Sequence, residues 1–238
     1  MNCIFCEREG PSNTVAHIIP ESLGGKNSPV GRPGVTCDAC NQYFGQKVES
    51  KALASFPFIG HRILSGIPTK KNSMPSMRST IGEIRATGMP GIIEVEPRSE
   101  RVGMLLRVGE VTQFRMLAEV TAPLAVCRML LKIGLEQLGK HFYEVAVSPR
   151  VKAAREFSRM PRRGQAWWFI LQSDPQQYVN GLLENTESSI EILECEGVLL
   201  SIMHSGGVST IIPLEEGAQP PYSNELSEPE FRIVHTAC

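Results

Sequence analysis

The longest hydrophobic pattern in the chain begins at Pro123. From there to Leu138 the apolar positions nearly encircle one helix, which Gly139 ends, and this pattern predicts a helix buried in a domain core. A second helix is predicted from Pro149 to Ser158. Runs of β-branched and aromatic residues between glycine and proline turns predict strands at 81–85, 92–96, 103–108, 113–120, 167–171, 190–195, 198–203 and 208–212.

The last two of these strands are predicted to pair across the turn at residues 205–207, which reads Ser-Gly-Gly. No internal repeat is visible. Helices and strands without regular alternation indicate an α+β domain, which we place at residues 86–238. Residues 217–229 are expected to form a loose end, because proline and polar residues dominate them.

The first sixty residues follow a different pattern. Thr14–Ile19 reads as a short strand ended by Pro20, with Val15, His17 and Ile19 on one side by alternation. Residues 41–53 have helical periodicity with Phe44 and Val48 in the buried stripe. We therefore expect a small module at 1–60, a linker or basic loop at 61–85, and then the larger domain.

Composition places the chain among ordinary globular proteins, with 42% hydrophobic and 21% charged residues. Because neither a signal peptide nor a bilayer-length apolar run is visible, we expect a cytoplasmic protein without a membrane partner. Residues 184–238 carry ten Glu and one Arg, so the remaining chain has a net charge of +8. A basic body of this kind suits a polyanionic partner, although solvated surface charge is the alternative explanation.

Four of the seven cysteines form two pairs with two intervening residues each. This spacing is typical of zinc knuckles, because a tight turn brings both thiolates to one face of a tetrahedral ion. We predict one structural Zn²⁺ site; two disulfides or four unrelated core cysteines are the alternatives. The proposed ligands are Cys3, Cys6, Cys37 and Cys40.

Two polar residues between and after these pairs are candidates for chemistry. His17 lies on the predicted strand and could take a proton from water near neutral pH, as a general base does. Asn41 follows the second pair at the predicted helix start, where side chains and free N–H groups favour a phosphate or a cation. Together they would suit metal-assisted phosphodiester hydrolysis, whereas a lone histidine is more often structural.

Residues 3 to about 53 contain three motifs in this order: Cys-x-x-Cys, His-Ile-Ile-Pro-x-Ser-Leu-Gly-Gly and Cys-x-x-Cys-Asn. This order closely resembles the zinc-knuckled branch of the HNH endonucleases. The resemblance implies a ββα-metal fold that cuts DNA, often in bacterial restriction, phage-defence or mobile-element settings. It implies that His17 activates the attacking water and that Asn41 binds a catalytic cation, usually Mg²⁺ or Mn²⁺. The four cysteines would hold the structural zinc away from the reaction.

The chain departs from the family pattern at three positions. Ala16 precedes the histidine where an acidic residue or histidine commonly helps to bind the ion. No asparagine lies just before the second knuckle, so Asn27 is the nearest residue that could orient His17. Gly45, one turn after Asn41, offers no ligand; Glu49 on the same helix face could supply a carboxylate or could be a solvated surface residue.

Basic residues around the proposed site could contact phosphates and give affinity with little sequence information. We expect this of Lys26, Arg32, Lys47 and Lys51, with the basic run at 150–163 extending the track. One of Trp167 and Trp168 is expected in the core, and the other could stack on a base.

Two functions follow as hypotheses. The first is an endonuclease acting on DNA, whose C-terminal domain senses, positions or dimerises into a homo-oligomer. The second is a non-catalytic zinc module that binds nucleic acid or a protein.

Overall fold

The structure is a computed structural model that describes residues 1–24, 27–69, 72–110, 119–173, 188–221 and 231–238. Its central element is the long helix α6, Pro123–His141, which extends the predicted helix by one turn. Two further helices pack on it, α7 at Tyr143–Val147 and α8 at Lys152–Arg159, the latter after a 3₁₀ turn at Pro149–Val151. The predicted helix at 149–158 is therefore confirmed.

A five-stranded antiparallel sheet packs against α6. The strands are β4 Ala166–Ser173, β5 Ser189–Cys195, β6 Val198–Ser205, β7 Val208–Pro213 and β8 Phe231–Ala237. Their order in the sheet is β5-β6-β7-β4-β8. The turn between β6 and β7 places Gly206 and Gly207 at φ 57° and 77°, the left-handed geometry that two-residue hairpins require, so the predicted hairpin is confirmed. The last strand was not predicted, and it pairs along almost the whole of β4.

A second, smaller sheet fills much of the predicted linker at 61–85. Its antiparallel strands are β1 Ser76–Arg78, β2 Gly82–Ala86 and β3 Ile93–Pro97. Helix α4, Phe58–Leu64, runs across the predicted boundary at residue 60 and packs Ile59 and Ile63 against Ile84 of this sheet. The predicted linker at 61–85 thus contains the end of α4 and two strands, with glycine and proline marking the turns of a small sheet.

The predicted strand at 103–108 was also wrong. Helix α5, Glu100–Arg107, occupies this region, and the Ser99 hydroxyl caps it by accepting the N–H of Val102 at 3.3 Å. The apolar residues at 104–106 resemble a strand in sequence, but the capping serine and the acidic first turn favour a helix. Most of the predicted strand at 113–120, and most of the loose end at 217–229, lie outside the described residues.

The N-terminal module consists of two extended segments and a helix. The segments pair at His17 and Val30, with hydrogen bonds from Ile18 N to Pro29 O and from Gly31 N to Ala16 O, both 2.8 Å. Among the described residues only this bridge joins the two segments, so the regular strand predicted for 14–19 was wrong. A short helix, α1 at Glu21–Gly24, lies between the segments.

The helix that follows begins at Asp38, three residues before the predicted start. It comprises α2 at Asp38–Phe44, a π-helical stretch at Gly45–Glu49 and α3 at Ser50–Ala52, which together we call the site helix. Phe44 and Val48 are buried, as the sequence pattern predicted.

The module and the larger domain share one hydrophobic core, which runs from Ile4 and Phe44 through α6 to the sheet. A small metal-binding module followed by a larger sheet-containing α+β domain is therefore the observed fold class. Within the described part of the chain, no helix is long and apolar enough to cross a membrane.

We predict that Gly134→Ala destabilises the protein, although alanine is the better helix former by up to about 1 kcal/mol. A Cβ at residue 134 would lie 2.7 Å from Ser201 Cβ and 2.9 Å from Leu214 Cδ2, where the sheet meets α6. Overpacking of this kind costs about 1–3 kcal/mol in the free energy of unfolding, measurable by urea denaturation.

Gly45→Ala in the site helix is the matched control, because its Cβ would meet Glu49 Oε2 at an ordinary 3.9 Å. We expect this variant to be as stable as the wild type or more so. A Gly134→Ala protein at least as stable as the wild type would contradict the close approach of α6 to the sheet.

Candidate active site and metal centre

The four paired cysteines converge on one point. Their sulfur atoms all lie within 4.8 Å of one another, and Cys6 Sγ is 3.7 Å from Cys37 Sγ. A tetrahedral zinc ion with Zn–S bonds of about 2.3 Å has sulfur–sulfur edges of about 3.8 Å, so the donor set fits Zn²⁺. All four are free thiols, and the disulfide alternative is therefore wrong.

Backbone hydrogen bonds hold the two knuckles in place. Glu7 N donates to Cys3 O at 2.8 Å, which closes the first turn, and Ile4 N donates to Val35 O at 2.9 Å, which ties it to the second knuckle. The hydrogen bond with the Cys40 thiol, against the effect of burial, lowers the pKa of Cys3 to about 4, whereas burial raises the pKa of Cys37.

His17 is half-buried on the first extended segment. Its Nδ1 is buried without a hydrogen-bond partner among the described residues, so Nε2 is the candidate nitrogen for proton transfer. Asn27 is exposed, and no hydrogen bond within the described part of the chain joins it to His17. The proposed orienting role of Asn27 therefore gains no support from this geometry.

A cleft of ≈ 450 Å³ opens beside this segment, against the site helix. Asn41 Nδ2 spans it, donating to Thr14 Oγ1 at 3.2 Å and to Val15 O at 3.5 Å, so the amide oxygen of Asn41 keeps its acceptor capacity. His17 is outside the lining and follows Val15 by two residues. The lining residues are Thr14, Asp38, Asn41, Gln42, Gly45, Gln46 and Glu49.

Asp38 fixes the start of the His17 segment to the site helix. Its Oδ1 accepts the hydroxyl of Thr14 at 2.7 Å and the Thr14 N–H at 2.9 Å, and these bonds lower the pKa of Asp38. The backbone N–H of Asn41 donates to Cys37 O, because the helix begins earlier than predicted. Asn41 can thus contribute its side chain to the site, but the free N–H group expected there is absent.

Glu49 is held in an ion pair. Its Oε1 lies 3.0 Å from Lys132 Nζ, and only 13% of its side chain is exposed, so it is not a solvated surface glutamate. Its Oε2 lies near the space that a side chain at Gly45 would occupy, 3.9 Å from the position of an added Cβ. The carboxylate therefore faces the cleft one turn beyond Gly45, the residue that has no side chain to offer as a ligand.

Lys132 is a site residue that sequence reasoning missed. It is fully buried on α6, and its Nζ donates to His17 O at 2.6 Å and to Ile18 O at 3.3 Å while pairing with Glu49 and, at 2.9 Å, with Glu136. Burial alone would lower the pKa of Lys132, but the charges of Glu136 and Glu49 outweigh it and raise this pKa. The available signal in the sequence was a lysine placed between Leu131 and Ile133 in a helix predicted to be buried.

Three of the four residues proposed to contact phosphates lie at the surface. Arg32, Lys47 and Lys51 are exposed, and Lys26 lies outside the described residues. The side chains that line the cleft are instead rich in oxygen donors, from Asp38, Asn41 and Glu49. Mg²⁺ and Mn²⁺ prefer ligands of this chemical type.

The basic run at 150–163 is largely paired within the chain. Arg150 lies 2.8 Å from both Glu194 and Glu215. Arg155 is 4% exposed and donates to two backbone carbonyls and, at 3.2 Å, to Glu7. These two arginines are bonded within the chain, whereas the same run keeps exposed basic residues at 152, 162 and 163.

One of the two neighbouring tryptophans is buried in the core, as expected. Trp167 is buried and donates its indole N–H to Pro213 O at 3.0 Å. Trp168 is half-buried and lines a separate cleft of ≈ 320 Å³ together with His235. A stacking role for Trp168 remains a prediction.

The comparisons with known proteins found a match to the N-terminal module only. Residues 3–57 match a family model described as HNH endonuclease, which confirms the resemblance seen in the sequence. Neither the curated proteins nor the solved structures contain a match to the chain. The match covers the knuckles, the His17 segment and the site helix, so the geometry above belongs to the part of the chain that resembles a nuclease.

Loss of one zinc ligand should unfold the module. For Cys37→Ser we predict that bound zinc falls from about one equivalent to nearly none and that cooperative thermal unfolding is lost, because structural zinc contributes folding free energy directly. Zinc is measured by elemental analysis and folding by circular dichroism. Cys195→Ser, at an exposed cysteine outside the cluster, is the control. A folded, zinc-free Cys37→Ser protein would remove the basis for a structural zinc.

Glu136 should make stability depend on pH. Burial raises its pKa from 4.5 to about 7, so between these values the folded state binds more protons than the unfolded state. The resulting stability is present at low pH and is lost as pH rises toward 7, by on the order of 2–3 kcal/mol. Urea denaturation from pH 5 to 8 should show this loss of stability in the wild type relative to Glu136→Gln. Because both proteins bind zinc, effects of pH on zinc binding cancel in this comparison. Parallel pH profiles would contradict it.

Proposed function

We propose that residues 3–57 form a metal-dependent endonuclease that hydrolyses phosphodiester bonds in DNA. One observation carries the proposal: in the segment that matches the nuclease family, the histidine segment lies beside a cleft lined by oxygen donors, next to four cysteines placed for zinc. The family resemblance suggests bacterial defence or a mobile element as the setting, with the enzyme acting in the cytoplasm.

In this proposal His17 is the general base. Its Nε2 takes a proton from the attacking water, while the bond from Lys132 Nζ to His17 O holds the backbone at that residue. Glu49 through Oε2 and Asn41 through its amide oxygen would hold the catalytic Mg²⁺ or Mn²⁺. When bound, the cation polarises the phosphate and stabilises the leaving oxygen.

Binding of the DNA backbone is assigned to the basic side chains near the site. Arg32, Lys47 and Lys51 are exposed and free to reach phosphates, and we extend the same role to Lys26. These contacts give affinity without sequence information, and their strength should fall with rising salt. The larger α+β domain would position the substrate or form a homo-oligomer.

A second candidate function is a zinc module that binds nucleic acid or a protein without cutting. Ala16 favours it, because this residue cannot bind a cation, and so does the ion pair that occupies one oxygen of Glu49. The two candidates share the zinc frame and the basic surface. They differ in the role of His17, so a variant at this residue distinguishes the two functions.

We predict nicking of supercoiled plasmid DNA by the full chain with added Mg²⁺ or Mn²⁺, and none with EDTA added after zinc loading. His17→Ala should lower the rate by about 10²-fold or more, because a general base contributes about 10²–10⁴-fold. The readout is the initial nicking rate on agarose gels.

His204→Ala is the matched control, since His204 is exposed and its Nδ1 hydrogen-bonds to Ser209 on the far sheet. It should cut at the wild-type rate. Equal residual cleavage by wild type and His17→Ala would refute the catalytic role, and DNA binding without any cleavage would favour the second candidate.

A further inference from the structure

A fully buried ammonium group joins the larger domain to the candidate active site. Lys132 belongs to α6, yet its Nζ contacts the backbone oxygens of His17 and Ile18 and the carboxylate of Glu49, all in the N-terminal module. An ammonium removed from water is tolerated only when its donors are matched by acceptors. These contacts fix where the module sits on α6.

The first consequence concerns the histidine. The imidazole of His17 makes no hydrogen bond among the described residues, so its position depends on the backbone that carries it. That backbone is held on one side by the two hydrogen bonds to the segment around Val30 and on the other by Lys132 at 2.6 Å. Without the lysine, nothing in the described structure binds the carbonyl of His17.

The second consequence concerns Glu49. Lys132 holds Oε1 at 3.0 Å, which fixes the carboxylate with Oε2 toward the cleft beside Gly45. The same positive charge lowers the attraction of this carboxylate for a cation. The lysine thus sets both the orientation and the effective charge of the proposed ligand.

The network also reaches the metal centre. Glu136, one turn after Lys132 on α6, pairs with it at 2.9 Å and accepts the hydroxyl of Thr36 at 2.7 Å, directly before Cys37. One helix therefore fixes the histidine segment, the site helix and the second knuckle relative to one another.

We propose that Lys132 is a positioning residue for the nuclease reaction: it holds the His17 backbone and the Glu49 carboxylate at a fixed separation from each other. This inference rests on the proposed function and adds to it that the active site is completed by the larger domain. The module at 3–57 carries the reacting groups, and α6 supplies the contact that aligns them.

The test uses the full chain with Lys132→Met and Glu136→Gln combined, compared with Glu136→Gln alone. Methionine keeps the length of the lysine, and removing both charges together leaves no unpaired charge in the fully buried pair. Zinc content and thermal unfolding confirm that both proteins are folded. Arg128→Met on the same helix is a second control, because Arg128 bonds to Tyr43 and Arg159 but not to His17 or Glu49.

In plasmid nicking we expect the kcat of the double variant to be about tenfold or more below that of Glu136→Gln, since small misplacements of reacting groups have effects of this size. The KM for DNA should stay within about twofold of the Glu136→Gln value. The Mn²⁺ concentration for half-maximal rate should fall by about threefold or more, because the positive neighbour of Glu49 is gone. A purely structural weakening would not combine a lower kcat with tighter cation binding. Arg128→Met should show no fall in this Mn²⁺ concentration.

A readout independent of cleavage separates this inference from the proposed function. The ¹⁵N-labelled imidazole of His17, assigned by its absence in His17→Ala, should shift in the double variant and not in Glu136→Gln. If the wild type does not cut DNA, the proposed function fails, and a shifted His17 signal still supports the positioning contact. An unshifted His17 signal, or a kcat equal to that of Glu136→Gln, overturns it.

Discussion

The arrangement of the N-terminal half depends on burying one positive charge. Lys132 has no exposed surface, and the free energy of removing an ammonium from water requires acceptors at close range. The acceptors come from separate parts of the chain: the backbone at His17 and Ile18, the site helix at Glu49, and α6 itself at Glu136. Because all must meet at one nitrogen, the module can dock on α6 in only one way.

The zinc-competent cluster and the shared core complete this frame. A module of fewer than sixty residues buries little apolar surface by itself, and small domains of this size commonly use metals for stability. Here the four cysteines fasten the first residues to the start of the site helix, while Phe44 and Val48 are buried in a core continuous with that of the larger domain. The metal fixes the local turns, and the shared core fixes the module as a whole. Both are needed to place an oxygen-lined cleft beside His17.

Local features of the sequence predicted much of this structure. The spacing of the cysteine pairs predicted their convergence, since a two-residue gap sets ligand geometry within one turn. The apolar pattern of α6 and the Ser-Gly-Gly turn also predicted their elements, because both depend on neighbours close in sequence. The helix at 100–107 was mistaken for a strand, since its apolar residues outweighed the capping signal of Ser99.

Contacts between distant residues could not be predicted in this way. Lys132 lies 115 residues from His17, and no spacing rule joins them. Arg150 similarly pairs with Glu194 and Glu215 of the acidic C-terminal segment, so this part of a run that looked like a nucleic-acid track is bonded within the chain. Glu49 was identified from its helix face, but its orientation depends on the lysine. The chemistry-bearing residues were thus visible in the sequence, and their alignment was not.

The central claim is that this frame places a catalytic cation beside the histidine. A crystal of the zinc-loaded protein soaked in Mn²⁺, with anomalous data at the manganese edge, tests it most directly. The account predicts a manganese peak in the cleft within bonding distance of Glu49 Oε2 and the Asn41 amide oxygen, separate from the zinc at the four cysteines. A zinc-loaded structure with the cleft free of manganese, or with manganese bound only elsewhere, would contradict it.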